Sequence, residues 1–387
     1  MTMLISRRTF LKTSAGAALA TGLSSPAVLA AEPLKFGVVQ PFSGGLELFG
    51  NQAKLGLELA KTEINAAGGI LGSPIELIYE DDKTDPKTAV ERATSLVRKD
   101  KVIAISGPIT SNNRDAMMPT LSRAKTPLLY ATNYEGGGCD RYLFSFNTVP
   151  NQELEKLVPA LKESAGSSFY MFGADYVWPQ KMFEAAAGIV KGLDGTVAGT
   201  EFTPFGVKDF APVIRRIQDS GAKVLVFALP GADAITFIKQ SEDLGLLKSV
   251  KVAFLGFAET YLGAFGEGKG QDMWVTVPFA ASLDLPGVKD FVAKIKKAAP
   301  DAPISHYAYT HYNSLNATKA ALEKSGSVDS EALVNGLEGL TIDSPTGKVT
   351  VGKDHHVTME MFLAKTEGTG LAVAQDMGQI APKPGCA

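Results

Sequence analysis

The chain reads as an α/β protein of two doubly wound parallel-sheet lobes, and three observations point there. Short apolar strands alternate with helices from Leu34 to Tyr130, which is the pattern of a parallel sheet covered on both faces. A second series of the same kind runs from Ser168 to Leu255, with no repeat of the first in sequence. The remainder of the chain carries too few strands for a third lobe, so it is added to the first two.

The elements follow in order. Leu34–Gln40 is a strand, Pro41-Phe42-Ser43-Gly44-Gly45 a loop, and Gln52–Ala67 a helix with Leu55, Leu59 and Ile64 on its apolar face, stopped by Gly68-Gly69. Ile75–Tyr79 is the second strand, and a helix from Pro86 to Lys99 is entered through Asp85. Val102–Ile105, a helix from Asn112 to Ala124, and Pro127–Tyr130 complete the first series. The second series places strands at Ser168–Phe172, Thr196–Phe202, Val224–Ala228 and Val250–Leu255, with helices at Gln180–Gly192, Phe210–Ser220 and Ala232–Leu244 between them. Beyond these come a strand at Met273–Val277, helices at Val288–Ala298 and His306–Lys324, and β-like alternation over Gly347–Leu363. Residues 32–148 with 279–350 are assigned to lobe 1, and 149–278 with 351–387 to lobe 2, which makes the chain pass between lobes more than once. Ligands of open parallel sheets sit beyond the carboxyl ends of the strands. Two such sheets facing each other make a cleft that closes by a hinge movement.

The first 31 residues are set apart. Ser6-Arg7-Arg8-Thr9-Phe10-Leu11-Lys12 precedes an uncharged, Ala- and Leu-rich stretch that ends on Val28-Leu29-Ala30-Ala31. A basic start, a modest apolar run and a small-residue end are the parts of an export signal. The paired arginines followed by Phe-Leu-Lys are similar to the twin-arginine variant, which exports proteins already folded. Gly16, Gly22, Ser24, Ser25 and Pro26 interrupt the run, which makes it a poor membrane anchor. The mature chain, of about 355 residues, is destined for the periplasm and is long enough for two domains.

A net charge of -3 and the lack of a Lys/Arg-rich run after Lys12 exclude nucleic acid as a partner, since phosphate binding needs a concentrated basic surface. The two cysteines, Cys139 and Cys386, are candidates for one disulfide in an exported chain, with two unrelated thiols as the alternative. They are too few and too far apart for a metal site. No cofactor is expected.

Three segments resemble the type I periplasmic binding proteins, the family of the leucine/isoleucine/valine-binding protein: Phe36–Gly44, the "EINAAGGILG" run Glu63–Gly72, and Asp81-Asp82-Lys83-Thr84-Asp85-Pro86. Tyr130–Gly136, Cys139, Pro150-Asn151-Gln152, Gly173–Pro179, Glu201–Gly206 and His355-His356 are similar, more narrowly, to the branch that binds urea and short-chain amides. The resemblance runs over nearly the whole mature chain. It implies three crossovers between the lobes, a ligand in the cleft, and a monomeric receptor that delivers it to the permease and ATPase subunits of an ABC importer.

The same resemblance, with local chemistry, marks the candidate ligand-binding residues. Ser111, with Thr110 beside it, stands at a helix N-terminus, where hydroxyl and free N–H groups donate to an oxygen; a plain helix cap is the alternative. Tyr130 and Thr132 end the fourth strand and match residues that hold the ligand's polar head, although Tyr130 also suits a core position. Tyr176 matches a tyrosine that closes over the ligand, and Trp178 is either cleft wall or outer surface. Phe49, taken as part of the loop after the first strand, matches an aromatic against the ligand's apolar part or else packs at the start of the first helix. Glu259 matches a polar group from the second lobe, with an exposed loop carboxylate as the alternative. Amino-acid binders of the family place an acid at the first crossover to hold the ammonium group. Here that crossover reads Asn147-Thr148-Val149-Pro150-Asn151-Gln152, without one. Burying a cation unpaired is costly, so the expected cargo is an amide, urea or related polar solute ahead of a branched-chain amino acid or an aromatic acid, with Glu259 keeping the amino-acid option open.

Catalysis finds little support in the sequence. His306 and His311 are five apart and do not share a helix face as metal ligands would, and His355 and His356 are adjacent. There is no G-x-S-x-G elbow and no phosphate loop, and nothing near Cys139 activates it. An exported amidase or other hydrolase is the reading from another class, and a cytoplasmic amide sensor is opposed by the export signal.

Overall fold

The computed structural model describes residues 32–386, so the export segment assigned to residues 1–31 lies outside the described residues. The first series consists of β1 (Leu34–Gln40), α1 (Glu47–Ala66), β2 (Ile75–Asp81), α2 (Pro86–Ser95), β3 (Ile105–Ser106), α3 (Ser111–Ala124), β4 (Leu128–Tyr130) and β5 (Leu143–Ser145). Its five strands are all parallel, in the order β2-β1-β3-β4-β5. Helices cover both faces of this sheet, so its strands are apolar runs rather than alternating ones: Val38 and Val39, neighbours on β1, are both fully buried.

The second series holds α4 (Pro150–Ala165), β6 (Ser168–Ala174), α5 (Val177–Gly192), β7 (Thr196–Thr203), α6 (Ala211–Asp219), β8 (Val224–Ala228), α7 (Gly231–Asp243), β9 (Lys251–Phe254), α8 (Thr260–Phe265) and β10 (Trp274–Val277). Then come α9 (Pro286–Ala298), α10 (His306–Ser325), α11 (Ser330–Leu337), β11 (Thr341–Ser344), β12 (Gly347–Val351), β13 (Val357–Glu367) and β14 (Gly370–Ile380). The second sheet runs β11-β12-β13-β10-β9-β8-β6-β7, with β14 on β13. It is parallel from β7 to β10 and antiparallel beyond.

The chain leaves the first sheet after β5 and returns to it after β10, where Phe279, Phe291 and Ile295 pack with Tyr309 of α10 and with Leu55 and Leu59 of α1. It passes back once more through the β11–β12 hairpin. That hairpin bridges the lobes: β12 pairs with β13, while the Tyr309 hydroxyl of α10 bonds Ser344 at 3.0 Å and Thr346 at 2.8 Å. The tail beyond β14 also turns to the first lobe. Pro384 accepts from the Gly137 N–H at 2.7 Å, and Cys386 is disulfide-bonded to Cys139 with their Cα atoms 5.5 Å apart.

Local chemistry explains the helix starts. Asp85 accepts from the Thr88 N–H at 2.7 Å with Pro86 in the first turn, and Asp329 caps α11 through the Ala332 N–H at 2.8 Å. Gly56 lets α1 and α10 touch, because a Cβ there would stand 1.9 Å from the Ala308 carbonyl oxygen. The structure adds helices α4, α8 and α11 and strands β5, β11 and β14 to the expected elements, and it shortens the third strand. α4 lacks a polar cap residue; its entry is fixed from within the helix, where Gln152 accepts the Val149 N–H at 3.0 Å.

Candidate functional site

The carboxyl ends of both sheets converge on one small cavity. Ile109, Thr132 and Asn133 reach it from the loops after β3 and β4, and Phe49 and Tyr307 from the first turns of α1 and α10. The second lobe contributes Tyr176 and Trp178 at the start of α5, Pro230 after β8, and Leu255 and Gly256 after β9. The volume is about 20 Å3, room for one or two water molecules. Four aromatic rings stand in its walls: Phe49 meets Tyr307 edge to face at 4.8 Å, and Tyr176 lies 6.2 Å from Trp178. Among the described residues, no Lys, Arg, Asp or Glu lines it.

The lobes touch beside this cavity. The Ala232 N–H donates to the Gly45 carbonyl oxygen at 3.1 Å, and a Cβ on Gly231 would stand 2.2 Å from that oxygen. Gly231 also has a φ of +65°, a conformation that favours glycine. The cleft is therefore closed.

Four of the eight residues expected from sequence line the cavity: Phe49, Thr132, Tyr176 and Trp178. Phe49 sits in the first turn of α1 rather than in the preceding loop, because the helix begins at Glu47. Three others stand behind the wall. Thr110 caps α3, accepting from the Asn113 N–H at 3.3 Å. Tyr130 is fully buried and donates to the carbonyl of Ile109 at 3.0 Å. Ser111 donates to Glu135 at 2.7 Å, and the other Glu135 oxygen pairs with buried Arg114 at 2.7 Å. The Arg114 guanidinium also lies over the rings of Tyr130 and Tyr134 at 5.2 and 4.7 Å.

Glu259 does not join the cleft group. It begins α8 and lines a separate cavity of about 280 Å3, with Ser282, Lys296 and Leu371. Neither of its carboxylate oxygens has a partner in hydrogen-bond geometry, and burial pushes the group up to about 8.

The first crossover is not free of acid. Glu153, one residue beyond the stretch read as lacking one, is fully buried and accepts from the Thr148 hydroxyl at 2.6 Å. Burial pushes its carboxyl up to about 7, opposed by Thr148 and by the Asn133 amide. Sequence reading missed Glu153 because it lies inside α4, a helix not expected there. It missed Asn133, although this residue adjoins Thr132, and Tyr307, which was read only as part of a long helix.

The histidines take structural places. His311 bonds the Tyr307 carbonyl at 2.8 Å and Gln40 at 3.0 Å; burial lowers it to about 4 and lowers His306 to about 3. His355 stacks on Phe144, and His356 bonds the Tyr134 hydroxyl.

This arrangement of two parallel-sheet lobes around a small closed cavity can be set beside known proteins. The model of the family described as "Periplasmic binding protein" matches residues 33–370. The chain belongs to that family. A periplasmic binding protein with this N-terminus is exported by the twin-arginine route, since residues 4–24 match the signal sequence of that pathway. Relatives include Leu/Ile/Val-binding protein homolog 3 of Brucella melitensis, 26% identical over 85% of this chain and 90% of that one. Leu/Ile/Val-binding protein BraC3 of Rhizobium johnstonii is also 26% identical, over 90% and 96% of the two chains. Among solved structures, a solute-binding protein of an ABC transporter from Rhodopseudomonas palustris HaA2 in complex with p-hydroxybenzoic acid shares the fold with a TM-score of 0.82 and 24% identity, over 91% and 98% of the chains. The LivJ protein of Streptococcus pneumoniae in complex with isoleucine gives 0.79 and 22%, over 90% and 100%. These periplasmic binding proteins are transport receptors, and solute-binding proteins of this kind work with a permease and an ATPase.

Proposed function

We propose that this receptor is monomeric and non-catalytic, and that it captures a small, neutral, planar solute of the urea or short-chain amide class for its importer. The observation that carries this reading is the cleft cavity itself. It is small and walled by Phe49, Tyr176, Trp178 and Tyr307, with the amide of Asn133 and the hydroxyl of Thr132 as its side-chain polar groups besides the aromatic ones. Aromatic faces suit a planar group, and a site without charged lining disfavours an ion, whose burial without a partner is costly. Any solute must widen this cavity, urea least and an aromatic acid most, and the acid also needs a counter-charge that the lining lacks.

A second reading, an α-amino acid, is favoured by one observation: the Glu153 carboxyl lies behind Asn133 at the first crossover, where an ammonium partner belongs.

Thermal shift of the mature protein with urea, acetamide, leucine and 4-hydroxybenzoate separates these readings, because a ligand that binds only the folded state raises Tm. Stabilisation by urea or acetamide is the expected result. Stabilisation by leucine alone transfers the assignment to the second reading. Release of ammonia from the bound amide overturns the non-catalytic assignment.

A further inference from the structure

Asn133 carries the single primary amide among the residues lining the cleft cavity. We infer that Asn133 is the specificity-determining residue of the cleft, donating an N–H to the carbonyl oxygen of the bound solute while Tyr307 and Glu153 hold its orientation. This rests on the reading of the protein as a receptor for a neutral carbonyl solute.

The orientation follows from its neighbours. The Asn133 Oδ1 accepts from the Tyr307 hydroxyl at 2.8 Å, so the carbonyl end of the amide is occupied. The Nδ2 end is near enough to Glu153 to oppose the rise of its carboxyl, yet it has no partner in hydrogen-bond geometry. Turning the amide over would set its oxygen against a carboxylate oxygen whenever Glu153 is ionised, which is unfavourable. Glu153 is itself fixed, accepting from the Thr148 hydroxyl at 2.6 Å, while its backbone carbonyl accepts from Thr276 at 3.0 Å. An NH2 group has two hydrogens. With one turned to Glu153, the other is left for the cavity.

A second donor comes from the opposite lobe. Trp178 lines the same cavity, and its buried Nε1 also lacks a partner. Buried donors without acceptors are costly to leave unmet. One acceptor oxygen answering a donor from each lobe would tie the two together on closure. A carboxylate would supply acceptors as well, but it would meet no lining cation, and the nearest carboxyl beyond Asn133 is that of Glu153. A neutral carbonyl meets neither penalty. The Thr132 hydroxyl, whose bond to the Pro108 carbonyl is long at 3.5 Å, is available to accept an N–H from the same amide.

The test is titration calorimetry of the mature protein with urea, acetamide, leucine and 4-hydroxybenzoate, on the wild type and on Asn133→Ser, Asn133→Asp, Glu153→Gln and Glu153→Ala. Loss of about tenfold or more in affinity for the bound amide in Asn133→Ser, with Tm little changed, is the expected result. Asn133→Asp, which keeps the acceptor for Tyr307 and deletes the donor, gives the same loss. As a positioning residue, Glu153 is rescued by Gln, which restores one acceptor and one donor, and not by Ala. Affinity retained within about threefold in Asn133→Ser overturns the assignment. If the wild type binds leucine or 4-hydroxybenzoate and neither amide, the neutral-solute reading fails. The Asn133 assignment is then decided by whether Asn133→Ser weakens the ligand that does bind. If none of the four binds, both fall.

Discussion

The Ala232 N–H of the second lobe donates to the Gly45 carbonyl oxygen of the first at 3.1 Å, with Gly231 pressed against the same oxygen. This contact joins the two lobes beside the cleft cavity. Gly231→Val places a side chain where a Cβ already stands 2.2 Å from backbone, at a φ of +65°. The expected result is a receptor that folds but closes poorly, with solute affinity lowered by about tenfold or more. Small-angle scattering should show a larger radius in the presence of ligand than for the wild type. Unchanged affinity would mean that closure does not use this contact.

Stability should change with pH in a direction set by two buried carboxyls and two buried imidazoles. Glu153 and Glu259 are raised from 4.5 to about 7 and about 8. The folded state therefore holds more protons than the unfolded state between 4.5 and those values, and stability falls as pH rises through that window. His306 and His311 are lowered from 6.5 to about 3 and about 4, so their contribution is present above 6.5 and is lost as pH falls towards those values. Stability should rise as pH drops from about 8.5 to 7, level off where the two effects oppose, and fall below about 4.5. Chemical denaturation across this range checks it. Glu259→Gln should stabilise the protein at pH 8 by on the order of 1–3 kcal/mol and do little at pH 5.

The Cys139–Cys386 bond closes a loop across 247 residues of sequence. Removing it should cost about 2–4 kcal/mol, chiefly through the greater freedom of the unfolded chain. Cys139→Ser, Cys386→Ser and the double variant should share one reduced Tm, because each deletes the same bond. The wild type under reductant should match them.

Arg114 and Glu135 form an ion pair whose side chains are only 4% and 5% exposed. Truncating one partner leaves the other charge buried. Glu135→Ala is expected to cost about 3–5 kcal/mol in guanidinium denaturation, and Glu135→Gln distinctly less, since it keeps an acceptor for Ser111.

The sequence was informative where a signal is local. Apolar runs such as Val224–Ala228 bracketed by helices gave the parallel sheets, and Asp85-Pro86 gave a helix start. Thr132 and Tyr176 were legible through the resemblance to the family, while Trp178 was left open between cleft wall and outer surface and proves to line the cavity. What was not legible depends on pairing across long separations. Tyr307 meets Asn133 only after the second crossover brings α10 beneath the first sheet. Glu153 serves the first crossover from within α4, a helix whose capping contact comes from its own third residue. Glu259 looked like a cleft residue from its place after β9, yet a few residues of loop carry it into another cavity.

The twin-arginine route passes chains that have already folded, and it starts from a compartment that keeps thiols reduced. Cys139 and Cys386 must therefore come together before they can join. Non-covalent bonds at the tail are placed to do this: Asn151 binds the Ala381 carbonyl at 2.9 Å and the Lys383 N–H at 2.7 Å, and Gln152 holds the Ile380 carbonyl at 2.9 Å. The disulfide is then a latch that engages on arrival. The added stability of the bond is thus expected to come only in the compartment where the receptor works.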